Sequence, residues 1–317
     1  MVLITRWFAQ HKLDKPVRAA AAVAGTLLVV SVLLPACTPQ ETADDRLTVA
    51  VTLQPQAAFV EAVGGDLVRS VVMVPPGASP HTYEPTPDQM VQLSKARVYV
   101  KVGTPVEFEL AWMSRLTEMN RDMLVVDCSG GISLIEAGEA DQPDSTPPGA
   151  AEAHGHAGAD PHIWLSVRNA KIMVENICAG LVMVDPANED YYRANCNRYS
   201  DELAQLDEEL TERLRPFAGK SFIVFHPSFG YFARDYHLVQ VAVEQGGAEP
   251  DAQYMMRLIE TARANDIRVV FVAPQVSARS AEVIAAEIGG TVVVIDPLAR
   301  DYIPNMRAIA DALLRAL

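Results

Sequence analysis

Short valine-rich runs alternate with helical patterns along most of this chain of 317 residues. Continuous apolar strands separated by crossover helices predict parallel β-sheets that are covered on both faces. The predicted strands are 47–53, 68–74, 97–102 and 123–127 in a first block, and 221–225, 238–243, 268–272 and 291–295 in a second. We therefore predict an α/β fold with two (β/α)4-like lobes, each holding a four-stranded parallel sheet, joined by a long helix at 187–217.

Three of the seven histidines adjoin a proline, and they are His81, His162 and His226. Asp296 is likewise followed by a proline. Proline fixes φ and restricts the residue before it, so a ligand beside it loses less freedom on binding. All four residues follow a predicted strand, and open parallel sheets bind ligands at the carboxyl edge. We predict a metal site in the cleft between the lobes, although hydrogen-bonded structural histidines explain the same pattern.

The four candidate ligands fit zinc chemistry best. Three imidazoles and one carboxylate fill the tetrahedron that Zn²⁺ prefers, and this favours carrying the metal over catalysis with it. The histidines must be deprotonated to bind, so affinity should fall at acid pH. Binding of manganese or iron stays open, as does a zinc-dependent hydrolase with Glu84 as its base. A structural or adhesive role at the cell surface would need no closed site.

The first 36 residues have the pattern of an export signal. Basic residues in 1–18 precede an uncharged apolar run at 19–36. Its end and Cys37 resemble the lipobox of bacterial lipoproteins, which predicts lipidation of this cysteine; plain secretion and a retained helix are the alternatives. We predict the following organisation: signal peptide 1–36, tether 37–46, first lobe 47–186, linker helix 187–217 and second lobe 218–317.

The exported part of the chain is strongly acidic. Beyond residue 36 it holds 22 Lys and Arg against 39 Asp and Glu, a net charge of −17. This charge argues against nucleic acid and against a polybasic membrane contact, and it favours the approach of cations. A membrane contact would therefore depend on the lipid anchor.

A segment rich in Gly, Ala, Pro and acidic residues at 137–160 breaks the alternating pattern. A loop of this length and composition is usually functional or disordered, and we expect it to be mobile. His154 and His156 lie near its end and are possible auxiliary metal ligands, or they are incidental to the loop.

Three cysteines follow Cys37, and they are Cys128, Cys178 and Cys196. An exported protein can hold them as one disulfide and one thiol. Cys178 and Cys196 flank the turn between two predicted helices, so we predict a disulfide between them. Cys128 ends a predicted strand and is most simply a buried apolar residue.

At the candidate ligands the sequence resembles a known family. Residues 78–87, 160–165 and 225–231 are similar to the three histidine motifs of the metal-binding lipoproteins of ABC importers, the zinc and manganese solute-binding family of the ZnuA and TroA type. Residues 294–298 resemble its terminal aspartate motif. His226 resembles the zinc branch, because manganese members tend to carry Glu there.

This resemblance implies two α/β lobes bridged by a rigid helix, with His81, His162, His226 and Asp296 as ligands of Zn²⁺ or, alternatively, Mn²⁺. It also implies delivery of the metal to an ABC importer permease with its ATPase. We expect a monomer without enzymatic activity. It would be lipid-anchored outside the cytoplasm, in the periplasm or on the outer face of the cytoplasmic membrane.

Overall fold

The computed structural model of the protein describes residues 45–136, 158–244, 247–248, 250–276 and 279–317. The predicted signal peptide, Cys37, His154 and His156 lie outside the described residues, as does most of the 137–160 segment. Both predicted sheets are described, within one compact unit that spans Asp45–Leu317. None of the helices described in this range has the length and apolar character needed to cross a membrane.

The first sheet is parallel and has the strand order β2-β1-β3-β4. Its strands are β1 (Leu47–Val51), β2 (Val68–Val72), β3 (Val98–Lys101) and β4 (Leu124–Asp127). The connecting helices are α1 (Gln54–Gly64), α2 (Pro87–Leu93) and α3 (Glu107–Met119). The central strand β1 is almost entirely buried, which explains why its sequence is apolar at every position except Thr48 rather than alternating.

The second sheet repeats this arrangement with the strand order β6-β5-β7-β8. Its strands are β5 (Ser221–Val224), β6 (Val239–Ala242), β7 (Val269–Val272) and β8 (Thr291–Val294). Its helices are α6 (Gly230–Asp235), α7 (Ala252–Ala264), α8 (Arg279–Glu287) and α9 (Tyr302–Ala316). The predicted fold class, two lobes with four-stranded parallel sheets, is thereby confirmed.

Two helices connect the two sheets along the chain, α4 (Val167–Val184) and α5 (Glu189–Leu214). On α5, four fully buried leucines follow one another at intervals of three or four residues and form one apolar stripe: Leu203, Leu206, Leu210 and Leu214. Helix α5 packs on α1 and α4 of the first lobe and on α9 of the second. Each buried leucine stabilises this junction by about 1.5–3 kcal/mol, so α5 ties both lobes to a shared core.

Helix α4 lies directly on the first sheet. A Cβ at Gly180 would come within 2.3 Å of a methyl group of Val126 on β4, so only glycine permits this close approach. The helix begins at Ser166, whose hydroxyl accepts the backbone N–H of Asn169 and also donates to Asp235 of the second lobe. The start of α4 therefore contributes to the contact between the lobes.

Cys178 on α4 and Cys196 on α5 are both buried and lie close enough to share a hydrogen bond. Among the described residues, Cys128, Cys178 and Cys196 are all unbridged thiols. The hydrogen bond from Cys178 lowers the pKa of the Cys196 thiol to about 7 and raises that of Cys178 itself. The disulfide between them stays a prediction, and the packing of α4 on α5 supplies the proximity that it requires.

Candidate metal centre

The three candidate histidines converge from loops at the carboxyl edges of the two sheets. His81 lies in the connection that follows β2, and His226 lies two residues beyond the end of β5. His162 immediately precedes a short 3₁₀ helix, Ile163–Leu165, that leads into α4. The ring centroid of His226 is 4.8 Å from that of His81 and 5.2 Å from that of His162.

Each imidazole has a carboxylate within hydrogen-bond distance of its Nδ1 atom. The Nδ1 atom lies 2.8 Å from Glu107 in His81, 2.8 Å from Asp160 in His162 and 2.6 Å from Glu244 in His226. A carboxylate only accepts, so it holds the ring proton on Nδ1 and leaves the Nε2 lone pair for a metal. Histidine ligands of metal ions are oriented in this way.

Asp160 forms a second contact with His162. Its Oδ1 atom also accepts the backbone N–H of His162 at 2.9 Å. Asp160 therefore orients the imidazole and does not cap the following helix, since Ser166 is the residue that caps α4.

The Nε2 atoms of His162 and His226 face each other at 3.3 Å. With the ring protons on Nδ1, both atoms present lone pairs, and these repel unless a proton or a metal cation lies between them. Two nitrogens bound at about 2.05 Å to one tetrahedral zinc ion lie about 3.3 Å apart. The spacing of this pair is therefore that of two ligands of a single ion.

A small cavity of about 40 Å³ adjoins the three imidazoles. This volume is enough for one ion or a few waters. Trp164 forms part of its wall, with its ring 5.3 Å from that of His162. The indole N–H donates to the carbonyl of Pro297 at 2.8 Å, which joins the first lobe to the loop after β8.

The electrostatic surroundings differ between the histidines. The hydrogen bond to Glu107 raises the pKa of His81 against the opposing effect of burial. Burial lowers the pKa of His226, the charges of His162 and His81 act in the same direction, and Glu244 partly opposes them. His226 is therefore the more readily neutral of these two and presents a free lone pair.

Asp296 lies two residues beyond β8, at the predicted edge, but its carboxylate belongs to a neighbouring cleft of about 440 Å³. Its Oδ1 atom accepts from Gln275 Nε2 and from the backbone N–H of Leu298, each at 2.9 Å. Gln275 lines both this cleft and the histidine cavity. The amide group of Gln275 therefore contacts Asp296, and the same residue also borders the imidazoles.

In the ranges that the structure describes, no three His, Cys, Asp or Glu side chains are already gathered around one point as in a formed metal site. The His162–His226 pair has the spacing of two ligands, and the carboxylate of Asp296 would have to approach this pair to complete a site. Glu84, the base that a hydrolase would need, is exposed and is not among the described residues that line the histidine cavity.

Sequence reasoning missed the carboxylates that contact His81 and His226, and the amide that contacts Asp296. Glu107, Glu244 and Gln275 follow the ends of β3, β6 and β7, at the same sheet edges as the candidate ligands. Their position after a strand is the sequence signal that could have found them.

The fold and the imidazole cluster define a class, two-lobed binding proteins with a histidine site between α/β lobes. Residues 49–316 match the family model described as zinc-uptake complex component A, periplasmic. The chain belongs to this family, which confirms the resemblance seen in the sequence. The family description is that of a transport protein outside the cytoplasm rather than of an enzyme.

Individual relatives agree with this assignment. The high-affinity zinc uptake system protein ZnuA of Bacillus subtilis is 31% identical over 258 residues, which cover 80% of this chain and 79% of that protein. The zinc-binding lipoprotein AdcA of Streptococcus pneumoniae is 29% identical over 84% of this chain, which spans only 53% of that protein. A crystal structure of a ZnuA deletion mutant with zinc bound is 42% identical, with a TM-score of 0.77 and coverage of 86% and 98% of the two chains.

Proposed function

We propose that this protein binds Zn²⁺ outside the cytoplasm and delivers it to an ABC-type importer, a permease with its ATPase. The observation that carries the proposal is the facing pair of Nε2 atoms at 3.3 Å, each on an imidazole with a carboxylate at Nδ1. His81 and Asp296 are proposed to complete the tetrahedron. The names of the zinc-binding relatives support the same metal.

The nature of the donors supports zinc over manganese. Imidazole suits zinc, whereas manganese is usually held by carboxylates, carbonyls and water in octahedral sites. Three neutral imidazoles and one carboxylate leave a bound divalent ion with a net charge of about +1. The ion would therefore depend on the carboxylates behind the imidazoles for further stabilisation.

The proposal extends to the location of the protein. Lipidation of Cys37 would attach the mature chain to the membrane and hold the zinc site near the permease. The acidic net charge provides no other membrane contact. One zinc site for each monomer is expected.

Zinc titration of the metal-free protein, residues 45–317, tests this function. Calorimetry with a competing chelator should show one tight site per chain, because the described residues provide one histidine cluster. We expect His162→Ala to remove tight binding, since it deletes half of the Nε2 pair. His237→Asn is the matched control: His237 is exposed with a positive φ of 58°, which Asn tolerates, and it should bind zinc as the wild type does. Tight binding retained by His162→Ala would refute the proposed site.

A further inference from the structure

Gln275 occupies a position that the zinc site alone does not explain. It follows β7 and lines both the histidine cavity and the cleft that contains Asp296. Its Oε1 atom is buried and, within the described residues, has no hydrogen-bond partner. A buried acceptor without a donor costs folding free energy, so its presence calls for a function.

The hydrogen bonds fix the orientation of this amide. Asp296 can only accept, so the edge of Gln275 that faces it must be the NH₂ group. The carbonyl oxygen is then left on the other side of the amide, where its partial negative charge favours a cation nearby.

The same contacts restrict Asp296. Its Oδ1 atom receives two donors, Gln275 Nε2 and the N–H of Leu298, each at 2.9 Å. Both lone pairs of Oδ1 are therefore occupied. Among the described residues the structure shows no donor to Oδ2, so this is the oxygen that remains for a metal. The amide of Asn305 binds the backbone carbonyl of Asp296 at 2.7 Å and holds the loop in place.

We propose that Gln275 restricts Asp296 to one metal-binding oxygen and thereby favours Zn²⁺ over Mn²⁺, an inference that rests on the proposed zinc site. One carboxylate oxygen and three imidazoles give four ligands, the number that zinc prefers. A carboxylate free to use both oxygens raises the coordination number and suits manganese, which prefers six ligands rich in oxygen. Gln275 acts through Asp296 and is a positioning residue.

Replacing Gln275 with leucine tests this role, and Gln275→Met is a second variant that preserves the length of the side chain. Both variants lack the N–H donor to Asp296 Oδ1. Competition titrations with Zn²⁺ and Mn²⁺ should show that the zinc affinity of both variants stays within about threefold of that of the wild type. The ratio of zinc affinity to manganese affinity should be at least about tenfold smaller than in the wild type. The exposed-site variant His237→Asn should leave this ratio unchanged.

The visible spectrum of bound Co²⁺ provides a readout that a merely structural role would not change. Four-coordinate Co²⁺ absorbs much more strongly than five- or six-coordinate Co²⁺. We expect intense bands in the wild type and clearly weaker bands in both Gln275 variants. Thermal unfolding of the metal-free variants verifies that they are folded.

The outcomes separate this inference from the proposed function. Wild-type protein that fails to bind zinc at one site per chain contradicts the function itself. A second outcome is that the wild type binds zinc and the folded variants keep its ratio of zinc to manganese affinity and its Co²⁺ bands. This outcome contradicts only the role of Gln275. A loss of zinc affinity beyond about a hundredfold also overturns it, because Gln275 would then be a ligand.

Discussion

Chelation of bound zinc should lower the melting temperature of the wild-type protein by about 8–16 °C. A metal that binds only the folded state at a thousandfold excess over its Kd stabilises that state by about 4 kcal/mol. For a domain of this size each kcal/mol shifts the melting temperature by about 2–4 °C. The stabilisation arises because ligands from both lobes, His81 and His226, would be joined by one ion.

The His81→Ala/His226→Ala double variant should melt at the same temperature with and without chelator. Differential scanning calorimetry at matched zinc concentrations measures both proteins, and His237→Asn serves as the control that keeps the wild-type response. A chelator response of wild-type size in the double variant would show that the stabilising zinc binds elsewhere. An unchanged wild-type curve on chelation would show that zinc does not couple the lobes.

Trp164→Ala should lower the free energy of unfolding of the metal-free protein by about 3–5 kcal/mol, the usual cost of removing a buried aromatic side chain. Trp164 is 2% exposed, and its indole N–H reaches Pro297 of the second lobe. Its backbone carbonyl also accepts the hydroxyl of Tyr302 at 2.7 Å. Because the ring packs against His162, zinc affinity should fall as well.

Two further variants, one at Trp164 and one at Trp112, show how Trp164 contributes to the free energy of unfolding. Trp164→Phe retains most of the apolar contact and loses the N–H, so the unpaired carbonyl of Pro297 should cost about 1–3 kcal/mol. Trp112→Ala removes a partly buried tryptophan on α3 and should cost less than Trp164→Ala. Denaturant unfolding of the metal-free proteins provides the comparison. Equal losses for Trp112→Ala and Trp164→Ala would show that Trp164 has no special role between the lobes.

The strands could be predicted because a strand buried in a parallel sheet has a recognisable run of apolar residues. A central parallel strand such as β1 is covered on both faces and is therefore a nearly continuous apolar run. The same reasoning predicted His226 and Asp296 at the carboxyl edges of the sheets, and each lies two positions beyond the last residue of its strand, β5 and β8 respectively. The order of the strands was not predicted, because it depends on which edges pair in space.

The surroundings of the ligands could not be read from the sequence. Glu107 is 26 residues from His81, and Glu244 is 18 residues from His226, with spacings that match no local motif. Only the fold brings each carboxylate to Nδ1. Likewise, nothing in the sequence distinguishes Gln275 from other loop amides, because its importance arises from the cavity and cleft on either side of it.

X-ray absorption at the zinc edge tests the central claim most directly, because it reports the ligands of the bound ion. For the protein loaded with one equivalent of zinc, we predict four nitrogen or oxygen ligands at about 2.0–2.2 Å. The outer-shell scattering should be that of three imidazoles, from His81, His162 and His226. Scattering from fewer than three imidazoles, or a sulfur ligand at about 2.3 Å, would contradict the proposed site.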